Sequence, residues 1–140
     1  MKTEYSAGAV IVKMVQGTWH VLCIRDMNKN LTFPKGLIEP KEDARDAAIR
    51  EAEEETGISN IVYKAPLPEV AYFYTRNGAT LHKTVSYFLF TYEGTEKLKP
   101  QIEEGITDIL WLPLEQATDS IGYTKSNLPL LTETKRLLSV

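Results

Sequence analysis

Apolar positions along the 140-residue chain fall into short runs separated by polar punctuation. Residues 5–14, YSAGAVIVKM, pass from small to β-branched side chains and predict a strand. Gly17-Thr18 interrupts the run and WHVLCIR at 19–25 resumes it, which predicts a hairpin. DMNKN at 26–30 is a polar loop, and LTFPKG at 31–36 is punctuated by Pro34 and Gly36. The period then changes. ARDAAIREAEEET at 44–56 predicts a helix, with Asp43 as N-cap, Asp46 adding negative charge to the first turn, and Gly57 as the left-handed residue that ends it. Strand-like stretches follow at roughly 60–64, 69–75 and 82–92, the last two joined through Asn77-Gly78, a hairpin-turn pair. DILWLPL at 108–114 reads as a short strand stopped by Pro113, and LEQAT as a short helix. NLPLLTETKRLLSV has helical spacing and closes the chain. No repeat, low-complexity tract or linker intervenes. The pattern predicts one α+β domain over residues 1–140, with helices covering a mixed sheet.

Composition narrows the function more than the fold. Sixteen basic and 19 acidic residues give a formal net charge of −3. That balance speaks against a general nucleic-acid or membrane-surface binder and leaves room for a local basic pocket. The single cysteine, Cys23, lies in an apolar run and has no partner for a disulfide or a CxxC metal pair. No run approaches the ~18 apolar residues of a membrane span, so the reading is a soluble, cytoplasmic protein.

The helix carries the first chemistry. With Ala47 set at zero on a helical wheel, Ala44, Ala48 and Ala52 fall at about 60°, 100° and 140°, a small-residue face suited to packing on a sheet. Glu51 and Glu55 fall inside that face at about 40° and 80°, and Glu54 sits at its edge near −20°. Asp46, Arg50 and Glu53 point to the opposite, wet side. Carboxylates crowded toward an apolar interior repel one another and resist desolvation. Three outcomes follow: one acid is protonated, a hard divalent cation sits among them, or the edge stays exposed with basic partners. Oxygen-only ligands suit Mg²⁺ or Mn²⁺.

Residues 36–58, GLIEPKEDARDAAIREAEEETGI, resemble the Nudix box, G-x5-E-x7-R-E-U-x-E-E-x-G-U, with U apolar. Gly36, Glu42, Arg50, Glu51, Ala52, Glu54, Glu55, Gly57 and Ile58 fill every specified position. The resemblance implies the Nudix fold, an α/β/α sandwich around a mixed sheet. It implies hydrolysis of a nucleoside diphosphate linked to some other group. It also implies that Glu51, Glu54 and Glu55 are ligands of Mg²⁺ (Mn²⁺ as a substitute), with Glu54 and Arg50 counted among the catalytic groups. Glu42 and Arg50 would brace loop and helix, Gly36 would permit a tight loop backbone, and Gly57 would end the helix.

One departure bears on the catalytic base. Many members carry a glutamate six residues before the tryptophan that precedes LPL; that place is Gly105 here. Glu103 and Glu104 lie just before it, and a one-residue shift makes Glu104 the expected base, with Glu103 or a box glutamate as alternatives. FPKGLIEP and YTRNGATLHKTVSYFL resemble the diadenosine tetraphosphate hydrolase branch. That likeness implies a dinucleoside polyphosphate substrate split to ATP and AMP, phosphate contacts from Lys35 and Lys83, and base stacking by Tyr74 and Tyr87. Alternatives are a diphosphoinositol polyphosphate, a (d)NTP, an RNA 5′ end, or a non-catalytic nucleotide sensor. The partners expected are a small nucleotide or polyphosphate, no general nucleic acid and no membrane, with a monomer or homodimer both open.

Overall fold

The computed structural model describes residues 1–140. A long strand, β1 (Lys2–Val15), turns through Gln16-Gly17 into β2 (Thr18–Arg25). Two short strands follow, β3 (Leu31–Thr32) and β4 (Lys35–Leu37), and then helix α1 (Ala44–Thr56). Next come β5 (Val62–Pro66), β6 (Val70–Arg76), β7 (Ala79–Thr91), a single 3₁₀ turn at Ile102–Glu104, β8 (Asp108–Pro113), α2 (Leu114–Ser120) and α3 (Thr124–Leu138). All strands join one eight-stranded sheet in the order β3-β2-β1-β7-β5, with β4 on β1, β6 on β7 and β8 on β2. The sheet is mixed because β1 and β7 run parallel, from Lys2 opposite Leu81 to Val12 opposite Thr91. The other pairs are antiparallel.

Alternation along β1 sends Ala7, Ala9 and Ile11 to one face of the sheet and Val10 and Val12 to the other. On the first face Ala47, Ala48 and Ala52 of α1 meet those two alanines, so small side chains on both sides bring the helix close to the sheet. On the second face Leu114 and Ala117 of α2 and Leu130 and Leu131 of α3 cover Val10, Val21, Val85 and Leu89. The result is the expected α/β/α sandwich.

Helix α1 ends where the sequence predicts. The Asp43 side chain accepts from the Asp46 N–H at 2.8 Å, and Gly57 adopts φ 79° and returns its N–H to the Glu53 carbonyl. Some bounds differ. Residues 31–36, read from sequence only as a stretch punctuated by Pro34 and Gly36, form two short strands around a buried Phe33-Pro34 pair. The C-terminal helix starts at Thr124 rather than Asn127, because Tyr123 at φ 49° turns the chain and the Asn127 N–H already bonds the Tyr123 carbonyl.

Candidate active site

The last two turns of α1 lie against β4, and their acids divide by direction. Glu55 is 7% exposed, and one of its carboxylate oxygens is buried with no hydrogen-bond partner. Glu51 is largely buried as well, its carboxylate against the backbone of Gly36. Glu53 is exposed, as the wheel predicts. From the opposite side the 3₁₀ turn delivers Glu104. One oxygen from each of Glu51, Glu55 and Glu104 lies within 4.8 Å of the others. Glu54, expected as a third ligand of the helix, stands outside this trio; its carboxylate is half-exposed and accepts from Arg50 at 3.3 Å. Glu103 is exposed and takes no part in the cluster.

Crowding favours protons on the two inward acids of the helix. Burial, then the charges of Glu51 and Glu104, push the Glu55 carboxyl up to about 9. Burial also raises Glu51, against the pull of Arg50. A buried oxygen without a donor, beside two more carboxylates and no nitrogen or sulfur ligand, is a donor set for a hard divalent cation. The residues present therefore fit Mg²⁺ or Mn²⁺.

Arg50 is the hub of the surrounding charge. Its Nε and Nη2 fork onto Glu42 at 2.7 and 3.0 Å, Nη1 reaches Glu51 at 3.0 Å, and Nη2 caps the Leu37 carbonyl at 3.0 Å. The wheel places Arg50 on the wet side, and the loop at 37–42 folds over to cover it. Gly36 has a different role from the one expected. Its φ is not left-handed; a Cβ there would stand 2.1 Å from the Glu51 carboxyl carbon. Gly105 is left-handed at φ 80° and ends the 3₁₀ turn, and a Cβ on it would strike the Met27 side chain. A glutamate at this position would be strained by the left-handed backbone, and Glu104 enters the cluster one residue earlier.

Two of the three acids face a cleft of about 510 Å³, and Glu51 stands behind them, outside its lining. Glu55 and Glu104 line it together with Lys35, Tyr72, Tyr87, Asp26, Lys125 and Asn127, among others. Lys35 forms no ion pair; its Nζ donates to the Tyr72 hydroxyl at 3.4 Å, and burial lowers its pKa. Lys83 stands outside the cleft lining, directly opposite Tyr72 in the ladder, and its pKa is lowered by burial and then by the charge of Lys35. Tyr87 belongs to the cleft wall but is 3% exposed, its ring edge-on to Phe33, so it offers packing and no open face. Tyr74 is outside the lining; its hydroxyl is engaged with Glu4, and Arg76 donates to it at 2.7 Å. Tyr72, not among the residues expected from sequence, takes the cleft position. The period of two along the strand carries the signal, because Tyr72 and Tyr74 share a face and Tyr72 pairs with Lys83. Lys125, Asp26 and Asn127 come from segments whose local pattern gives no sign of a site.

A family model described as NUDIX domain matches residues 3–133. MutT4 of Mycobacterium tuberculosis is 35% identical over 92 residues, which is 66% of this chain and 36% of that protein; the chain spans a little over a third of that relative's length. Solved structures of similar shape include a C. elegans Ap4A hydrolase in a binary complex, with a TM-score of 0.80 and 25% identity over 97% of this chain and 98% of that one. The NUDIX domain of Shewanella oneidensis NrtR, complexed with ADP-ribose, superposes at 0.74 with 17% identity over 99% of this chain and 90% of that one, a likeness of fold.

Proposed function

Because the chain belongs to the Nudix family, we propose that it hydrolyses a pyrophosphate linkage, and that the substrate is a dinucleoside polyphosphate such as diadenosine tetraphosphate, released as ATP and AMP. The observation that carries this reading is the convergence of Glu51, Glu55 and Glu104, two of which line a cleft together with Lys35, a lysine in no ion pair. A divalent cation, when bound, neutralises pyrophosphate oxygens and acidifies water beside them. Glu51 and Glu55 would hold it, with Glu54 the next carboxylate along the helix edge.

Every other step falls to side chains of the chain. Lys35 and Lys83 attract the polyphosphate and set its direction along the cleft. Water attacks one phosphorus, Glu104 accepts its proton, and the P–O bond to the leaving phosphate breaks. Tyr72 stands at the cleft wall where an adenine ring can stack. Arg50 and Glu42 fix the loop and helix that carry the acids.

The test is a panel of dinucleoside polyphosphates, nucleoside triphosphates and diphosphoinositol polyphosphates with Mg²⁺, products identified by mass spectrometry. ATP plus AMP from diadenosine tetraphosphate, dependent on Mg²⁺, is the expected result. Turnover of another class alone replaces the substrate assignment, and no turnover on any member favours a sensor.

A further inference from the structure

The outer edge of the sheet beyond β7 is built from two strands, and they are protected very differently. β5 carries Lys64, ends in Pro66 and has a register shift between Tyr63 and Ala65. Charge, proline and bulge are the devices by which edge strands refuse further partners. β6 has none of them over VAYFYT, residues 70–75, and its ladder with β7 is regular from Val70 to Arg76. No turn, loop or cap hydrogen bond reaches its backbone, so its outward row of N–H and C=O groups has no partner in the chain. Above this edge Phe73 is 63% exposed, its ring 4.9 Å from that of His82. On the same sheet face stand Ala71, Thr75, Thr84 and Tyr5, none of them charged and none covered by α1.

We propose that β6 pairs with β6 of a second copy of this chain, antiparallel about a two-fold axis at Phe73. The charges at the strand ends select this partner. Glu69 precedes the strand and Arg76 ends it, so antiparallel apposition brings the acidic end of each copy beside the basic end of the other. With the axis at Phe73, that residue faces its own copy, Ala71 faces Thr75, Val70 faces Arg76, and Glu69 faces Asn77 next to Arg76. No two like charges are opposed. A two-fold axis perpendicular to the sheet keeps each face continuous, so both clefts open on one side of a joined sheet. Tyr72, which lines the cleft, then stands opposite Tyr74 of the second copy. The neighbour thereby extends the aromatic wall of the site. The pairing itself does not depend on which anhydride the cleft cleaves.

The experiment combines light scattering with cross-linking. Wild-type protein is expected to double its mass as concentration rises, and Phe73→Lys, which sets like charges across the axis, to stay at monomer mass with the thermal transition that the wild type shows when dilute. Phe73→Cys is expected to cross-link to itself on mild oxidation, since directly opposed residues of antiparallel strands have Cα atoms about 4.5–5.5 Å apart. Cys23, buried, does not compete. Ala71→Cys and Thr75→Cys are expected to cross-link when mixed and not singly. A wild-type protein monomeric at every concentration overturns the proposal. So does a dimer that persists in Phe73→Lys, or one in which Phe73→Cys leaves no cross-link. Should Phe73→Lys fail to fold, the three cysteine variants decide by themselves.

Discussion

The carboxylate of Glu51 occupies the space that a side chain at Gly36 would need. A Cβ built on Gly36 meets Glu51 Cδ at 2.1 Å and both of its oxygens at 2.2 and 2.3 Å. The contact holds an acid of the helix flush against a strand of the sheet, and it makes residue 36 part of the ligand geometry without being a ligand.

Gly36→Ala is therefore expected to push Glu51 out of the trio. Divalent-cation affinity should fall about 10–100-fold, the usual cost of losing an outer support of a metal ligand. Titration calorimetry with Mn²⁺ measures it, and an affinity equal to wild type would show that Glu51 does not bind the ion.

Glu55 gives a pH prediction for the metal-free protein. Its folded-state carboxyl, pushed up to about 9, lies above the ordinary value of 4.5. The folded state thus keeps a proton that the unfolded chain has released, and the stabilisation is full below pH 4.5 and lost as pH rises toward 9. Chemical denaturation across that window should show stability falling with pH. Glu55→Gln should flatten the slope, and added Mg²⁺ should restore stability to the wild type and not to the variant. A wild-type slope matching that of Glu55→Gln would remove Glu55 as its source.

Arg50 serves Glu42, Glu51, Glu54 and the Leu37 carbonyl at once. Arg50→Lys keeps the charge but loses the fork, so it is expected to destabilise the fold by about 2 kcal/mol, the scale of a hydrogen bond to a charged group. Urea unfolding reads the loss. Full rescue by lysine would reduce Arg50 to a point charge.

Glu104→Gln should lower kcat about 10²–10⁴-fold, with Mn²⁺ affinity less affected. Gly105→Ala is expected to lower kcat less steeply, since its left-handed φ of 80° disfavours any side chain and the strain falls on the turn that carries Glu104. If Glu104→Gln keeps the wild-type kcat, the base lies elsewhere, and Glu54 is the first alternative.

Local order makes α1 legible. Its period, the Asp43 cap and Gly57 are set within a few residues, so the helix, its packed alanines and the inward Glu51 and Glu55 follow from sequence alone. What escapes depends on distant partners. Phe33-Pro34 becomes a buried link between strands because β1 and β2 supply its neighbours; the Ala9 N–H bonds the Pro34 carbonyl at 3.0 Å. Glu104 joins Glu51 and Glu55 from a turn about fifty residues further along the chain, which no local pattern on the helix announces. Tyr72 and Tyr74 are equivalent within a single strand, and only the ladder with β7 and the reach of Glu4 separate them. Lys125 and Asp26 line one cleft because α3 packs over β3, where Asn127 donates to the Thr32 hydroxyl at 3.2 Å.

The parallel pairing of β1 with β7 also fixes when the molecule can become active. β1 precedes the other strands of its sheet, and the partner that locks it lies about 80 residues downstream, a large loop to close before the contact is won. During synthesis α1 can form early, but the sheet it must seat on is unfinished until residue 91 has left the ribosome. Its glutamates remain open to water throughout. Glu104 follows later still. On the proposed reading the site is therefore incomplete until residue 104 has been made, and anhydride cleavage should switch on with the long-range strand pairing rather than grow with helix content.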